Sequence, residues 1–244
     1  MELDDWKKEL AGAVQPEHRY RALMAVAYLS EPQEAWPLQC RALGDADGMV
    51  RSLAAKQIGQ LRRAEAGGQI SDEDWGSVIP QLESRLADND PDVRFESARA
   101  LLRIANDHAG AAAIIFEALA EEGTTPLMLA ALADVLGDVA VDTGRVVDQL
   151  TALLAHTQAE VRENATSSLL KLGTAAQRAL PATLPLVDDE EPWVRENAVK
   201  FLAIHGKAIP DVLAALDIAE SDEDTQIAEL AKSARAQILA RGAE

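Results

Sequence analysis

A single cysteine, Cys40, stands in the 244 residues, so an intrachain disulfide and a thiolate-based zinc site are both excluded. Aromatic residues make up only 4% of the chain. Positive charge is short as well: 23 Lys and Arg face 41 Asp and Glu, a formal net charge of −18. That balance argues against duplex DNA, RNA or an anionic membrane as the main ligand, because each presents dense negative charge. It favours basic partners, and it also serves solubility. No run approaches the roughly 18 uninterrupted apolar residues of a membrane span. The opening stretch from Met1 to Leu10 lacks the basic-then-apolar pattern of a secretory signal. The expected setting is therefore the cytoplasm, away from membranes.

What the chain does have is alanine, 46 residues of 244, and a hydrophobic content of 48%, enough for a core. Alanine is the best helix former and lets helices approach closely. A repeat accompanies it. Val-Arg recurs at Val50-Arg51, Val93-Arg94, Val161-Arg162 and Val194-Arg195, the last two within an identical Val-Arg-Glu-Asn-Ala string. With the valine as anchor, His18, Leu127 and Ile227 complete a series of seven, spaced 32, 43, 34, 34, 33 and 33 residues apart. Four residues on stand Ala22, Ala54, Ser97, Ala131, Ala165, Ala198 and Ala231, all small. Eight residues on stand Val26, Ile58, Leu101, Val135, Leu169, Leu202 and Arg235, six of them branched and apolar.

Offsets 0, 4 and 8 share one face of an α-helix, so each anchor begins a helix whose apolar stripe faces a core. Asp47, Asp90 and Asp224 lie three residues before their anchors, where an N-cap oxygen accepts an orphan backbone N–H. Pro16, Pro91 and Pro192 lie two before, at the first helical position. Upstream of each anchor runs a second amphipathic segment, such as Trp75, Val78, Ile79, Leu82 and Leu86. Pro37, Pro80 and Pro181 each precede an anchor by 13 residues, near the start or bend of that first helix. Each unit is thus helix, turn, helix, and buries its apolar face by stacking on its neighbours. The 43-residue spacing places an insertion loop at about 62–72, where Gly67 and Gly68 stand among polar residues. The ends read as caps, with Arg235 where other units are apolar.

The string from Ile79-Pro80-Gln81-Leu82 through Asp88-Asn89-Asp90-Pro91-Asp92-Val93-Arg94 resembles a HEAT repeat, as does Leu184-Pro185-Leu186-Val187 followed by Pro192-Trp193-Val194-Arg195. The similarity covers nearly the whole of 1–244. It implies an all-α fold, one α-α superhelix (a HEAT-like solenoid) of about seven helix pairs with no dividing linker. It also implies that a turn aspartate pairs with the arginine after the valine, here Asp47 with Arg51 and Asp90 with Arg94. Met128 and Ala228 stand where that arginine is expected, so those two joints should lack the pair.

Chemistry is hard to find. His18, His108, His156 and His205 are scattered over four units and lack metal-ligand spacing. They are followed by Arg, Ala, Thr and Gly, so the repeated His-Glu pairs of the HEAT-like deoxyhypusine hydroxylases are missing. No phosphate loop or nucleophile elbow is present. The acidic clusters, such as Asp188 to Glu191, read as helix caps. Cys40 lies between the core-facing Trp36 and Leu43, which suits a buried, inert thiol. No catalytic set, metal or cofactor is expected.

In HEAT arrays the second helices line the concave surface, which here implies that offsets 2 and 6 face the groove. The candidate partner-binding residues are Tyr20, Phe95, Leu129, Glu163, Glu196 and Glu229 at offset 2, with Lys56 and Arg99 at offset 6. Phe95 and Leu129 would receive an apolar segment and the three glutamates a basic one. The alternative is that Phe95 and Leu129 pack inward and Glu196 ties to Lys200 at i+4. The resulting expectation is a non-catalytic scaffold for another protein or peptide, with nucleic acid disfavoured. The other reading is a lyase-like enzyme or enzyme subunit, because HEAT-like phycobilin lyases share the repeat; HEAT-like DNA glycosylases need a basic channel that −18 opposes.

Overall fold

The computed structural model describes residues 2–63 and 69–242, and these contain fourteen α-helices and no strand, 78% helix in all. The chain forms two compact units, Met1–Ala120 and Glu121–Glu244.

The first unit holds α1 (Leu3–Gly12), α2 (Pro16–Leu29), α3 (Pro32–Ala42), α4 (Gly48–Arg63), α5 (Asp72–Arg85), α6 (Pro91–Ile104) and α7 (Ala109–Ala120). The second helices α2, α4 and α6 pack in succession, and each has its partner alongside, α1 on α2, α3 on α4 and α5 on α6. The second unit holds α8 (Pro126–Leu136), α9 (Thr143–Leu153), α10 (Ala159–Lys171), α11 (Leu180–Thr183), α12 (Pro192–His205), α13 (Pro210–Ala219) and α14 (Thr225–Gly242). Here α8, α10, α12 and α14 pack in succession. The sixth unit's first helix is broken into 3-10 turns at Gly173–Ala179 and Leu184–Asp188 on either side of the four-residue α11. Gly173 enters it at φ +54°, and Pro181 and Pro185 each lack the N–H that a regular helix needs.

The repeat register sets the core. Val50, Val93, Val161 and Val194 are fully buried, as are Ala54, Ala165, Ala198 and Ala231 and the branched residues Val26, Ile58, Leu101, Leu169 and Leu202. Burying each large side chain contributes about 1.5–3 kcal/mol. The expected caps form: Asp47, Asp90 and Asp224 each accept the backbone N–H two residues on, at 2.9, 2.9 and 2.8 Å.

Two anchors depart from expectation. His18 is exposed and bonded to Glu9 at 3.0 Å. Leu127 is 72% exposed, so the fourth unit's anchor is Met128, one residue later. Thr125 caps α8 and Pro126 opens it, three and two residues before Met128, as in the other units. Gly137 then falls nine residues after its anchor, where Gly59 stands after Val50. At both sites the neighbouring second helix comes close: a Cβ would lie 3.1 Å from Ala100 Cα at Gly59, a tight fit, and 2.6 Å from Ser168 Oγ at Gly137, where something would have to shift. Of the loop expected at 62–72, residues 62 and 63 belong to α4, 64–68 lie outside the described residues, and Ser71 caps α5 through the Asp74 N–H.

Candidate interaction surface

The most regular polar feature is a set of guanidinium–carboxylate rungs. Arg51 Nε and Nη2 donate to the two oxygens of Asp88 at 2.8 and 2.7 Å, while its Nη1 donates to the Asp45 and Ala46 carbonyls of its own turn, both at 2.9 Å. Arg19 binds Asp45, Arg162 binds Asp189 and Arg195 binds Asp222 in the same two-pronged way. Each aspartate also accepts the backbone N–H two residues on, so it organises the turn that carries it. Both partners are largely buried, 9% exposed for the Arg195 side chain and 3% for Asp222. The arginine hydrogen bonds hold the Asp88 and Asp222 carboxyls below the usual carboxylate range.

The four rungs therefore each join one repeat to the following one, and the expected pairing within a repeat is not what forms. Asp47 is occupied as a cap, while Arg51 reaches across to Asp88. Asp90 likewise caps α6, and Arg94 donates to the Asp88 and Asn89 carbonyls. In the second unit Leu129 stands in an arginine position and His156 in the matching aspartate position. His156 keeps the aspartate's other task, as its Nδ1 accepts the Gln158 N–H at 3.1 Å. The joint between α8 and α10 is tied instead by Asn164 Nδ2 to the Ala130 carbonyl, by Ser168 Oγ to the Asp134 carbonyl and by Lys171 to Asp134 and Asp138.

The eight candidate partner-binding residues fare unevenly. Phe95 is only 7% exposed and is a core residue, with the Arg99 guanidinium 5.5 Å from its ring centroid. Arg99 is itself held by Glu96 at 3.0 and 3.1 Å. Tyr20 and Leu129 are half-buried, and Lys56 is exposed. In α6 offset 2 turns toward a neighbouring helix, because α6 is packed by α4, α5 and α7 and so buries more than one stripe; Leu129, with the anchor at Met128, falls at offset 1. In the second unit the glutamate row is present on the successive helices α10, α12 and α14. Glu196 pairs with Lys200 at 2.7 Å and Glu229 with Lys232 at 2.6 Å. Glu163 has no ion pair or hydrogen bond to its carboxylate among the described residues. Burial, then Glu191 and Glu160, push its carboxyl above the usual range.

Other reactive groups are quiet. Burial pushes the Cys40 thiol up to about 12, well above the range of a nucleophilic cysteine. His108 bridges Glu83 at 3.1 Å and accepts the Ala111 N–H at 3.0 Å. Among the described residues no three His, Cys, Asp or Glu side chains are grouped to hold a metal ion, and no helix is long and apolar enough to cross a membrane.

Comparison with known families matches HEAT repeats over residues 147–235 and a HEAT repeat over 78–108. No curated protein matches the sequence. Solved structures share the fold. An engineered protein is 21% identical with a TM-score of 0.64, covering 97% of this chain and 68% of its own. An archaeal HEAT-like repeat protein from Thermococcus onnurineus NA1 is 15% identical at a TM-score of 0.55, covering 99% and 98%. The CpcE–CpcF complex of phycocyanin lyase from Nostoc sp. PCC7120 gives 17%, 0.52, 96% and 87%.

Proposed function

Taking as premise that this chain is a HEAT-repeat protein, we propose that it is a non-catalytic scaffold whose second unit holds a cationic segment of a partner protein. HEAT repeats generally mediate protein interactions. The observation that carries the reading is Glu163. Burial first, then the nearby Glu191 and Glu160 carboxylates, raise the cost of ionising Glu163, which has no counter-cation among the described residues. A lysine or arginine from a partner relieves that cost, and binding there is worth more than at a freely solvated pair. Glu196 and Glu229 extend the row along α12 and α14, where an incoming cation competes with Lys200 and Lys232. Phe95 takes no part, because it lies in the core.

The test is capture of partners from cells of the source organism, with cross-linked residues mapped. A stoichiometric protein cross-linked through lysines to α10 and α12, and lost when Glu160, Glu163 and Glu191 are all changed to Gln, supports the reading. A partner that the triple variant captures equally well refutes it. A coloured or small-molecule ligand co-purifying without a protein would point instead to a lyase-like enzyme.

A further inference from the structure

A different part of the second unit offers the opposite charge. Carboxylates outnumber cations 41 to 23 in this chain, and Lys171, Arg178, Lys200, Lys232 and Arg235 all sit within ion-pairing distance of one. Lys207 and Arg241 meet no carboxylate among the described residues, and both line one cavity of about 430 Å³. Among the described residues no Asp or Glu lines it. One wall is the 3-10 turn that follows α10, which contributes Thr174 and Gln177. The second is the C-terminal end of α12 and the loop after it. The third is the last turn of α14, whose Arg241 donates from Nη1 and Nη2 to the Ile204 and Ala203 carbonyls and so satisfies the end of α12.

The cavity also has an apolar side, made by Ile204, Ala208 and Ile238. His205 belongs to its wall as well. That side chain is 94% buried, its ring lies 4.2 Å from the Phe201 ring, and its Nε2 finds no hydrogen-bond partner. An orphaned ring nitrogen in the wall of a cavity that Lys207 and Arg241 also line is polar capacity left unused among the described residues. The volume lies within the roughly 300–1,000 Å³ of small-molecule sites, which pair apolar walls with a few polar groups.

We propose that this cavity binds a small organic carboxylate with a branched apolar body. The carboxylate meets the Lys207 ammonium and the Arg241 guanidinium, with Thr174 and Gln177 as further hydrogen-bond donors. The apolar body lies on Ile204, Ala208 and Ile238. The site is separate from the glutamate row and does not depend on the cationic partner.

The probe is 4-methylpentanoate, titrated into the full chain and followed by calorimetry and by amide shifts in isotope-labelled protein. Saturable one-to-one binding is expected at about millimolar Kd, as a ligand of this size allows. Shifts should centre on the cavity residues. The neutral amide, 4-methylpentanamide, should bind about tenfold more weakly or worse, as should the acid to Lys207→Gln, since each change removes a charge-assisted contact. Lys207 is exposed, so this variant should melt like the parent. Equal affinity for acid and amide, unchanged affinity in Lys207→Gln, or shifts centred elsewhere would each overturn the proposal. Inorganic phosphate binding as tightly as the acid would show that the apolar wall contributes nothing, and would overturn it too.

Discussion

Replacing Arg195 by Met removes one rung while keeping the aliphatic stem. The structure sets the magnitude. Arg195 Nε and Nη2 hold Asp222 at 2.7 and 3.0 Å, and Nη1 serves the Asp189 and Glu190 carbonyls at 2.9 and 3.3 Å. Without the guanidinium, Asp222 is a buried carboxylate with no counter-charge. Breaking a buried pair from one side costs about 3–5 kcal/mol, because the surviving charge stays desolvated. At about 2–4 °C per kcal/mol for a chain of this length, the melting temperature should fall by about 6–20 °C. Circular dichroism at 222 nm reads it. Changing both partners, Arg195→Met with Asp222→Leu, should restore at least half the loss, since no lone charge is left. The pH dependence supplies a further check. The arginine holds the Asp222 carboxyl below its unfolded value, so the rung's contribution is present above about pH 4 and is lost as pH falls through the lower folded value. The gap between parent and Arg195→Met should therefore narrow in acid. A loss under about 1 kcal/mol at pH 7, in the range of solvated surface pairs, would refute the view that the rungs hold successive units together.

Three further outcomes are expected. Glu163→Gln should raise the melting temperature at pH 7 while weakening partner capture; the raised carboxyl favours the fold in its protonated form, so the gain should vanish at and below about pH 4. His205→Phe should flatten the fall in stability below about pH 6.5, because burial holds the folded imidazole below its unfolded value and stability is lost as the unfolded chain takes up a proton; an unaltered pH profile would mean that His205 is solvated. Ala198→Leu should cost about 1–3 kcal/mol by overfilling a closed joint, and an unchanged melting temperature would mean that Ala198 does not sit there.

The helix pairs were legible because a periodic core repeats its own signal: valine, small residue and branched residue recur at offsets 0, 4 and 8. The slip in the fourth unit came from the string Leu127-Met128-Leu129, which offers three apolar anchors; Thr125 and Pro126 decide between them, and the capping rule was available to do so. The rungs were half legible. The repeat marks Arg51 as a paired residue, while its true partners show only in a second periodicity: Asp45, Asp88, Asp189 and Asp222 all stand five residues before an anchor. Phe95 was misread as exposed because helical periodicity assumes one buried stripe, whereas α6 is covered on several sides. The glutamate row follows from spacing, but the strain on Glu163 comes first from its burial and then from Glu191, 28 residues away, neither of which local pattern supplies. The cavity at Lys207 is built from three segments distant in sequence and leaves no local signature at all.

The rungs also make the chain's length divisible. Each arginine grips the turn five and six residues behind it and the aspartate one unit ahead. The bonding environments of Arg162 and Arg195 are thus nearly interchangeable, and both sit in the same Val-Arg-Glu-Asn-Ala string. Excising residues 162–194 would join Val161 directly to Arg195. Its Nη1 would inherit the His156 and Thr157 carbonyls, and its other nitrogens would keep Asp222. The array can therefore lose a whole repeat and keep its remaining rungs in register. Length can also vary between the rungs, since Arg51 still reaches Asp88 across the longer 43-residue spacing.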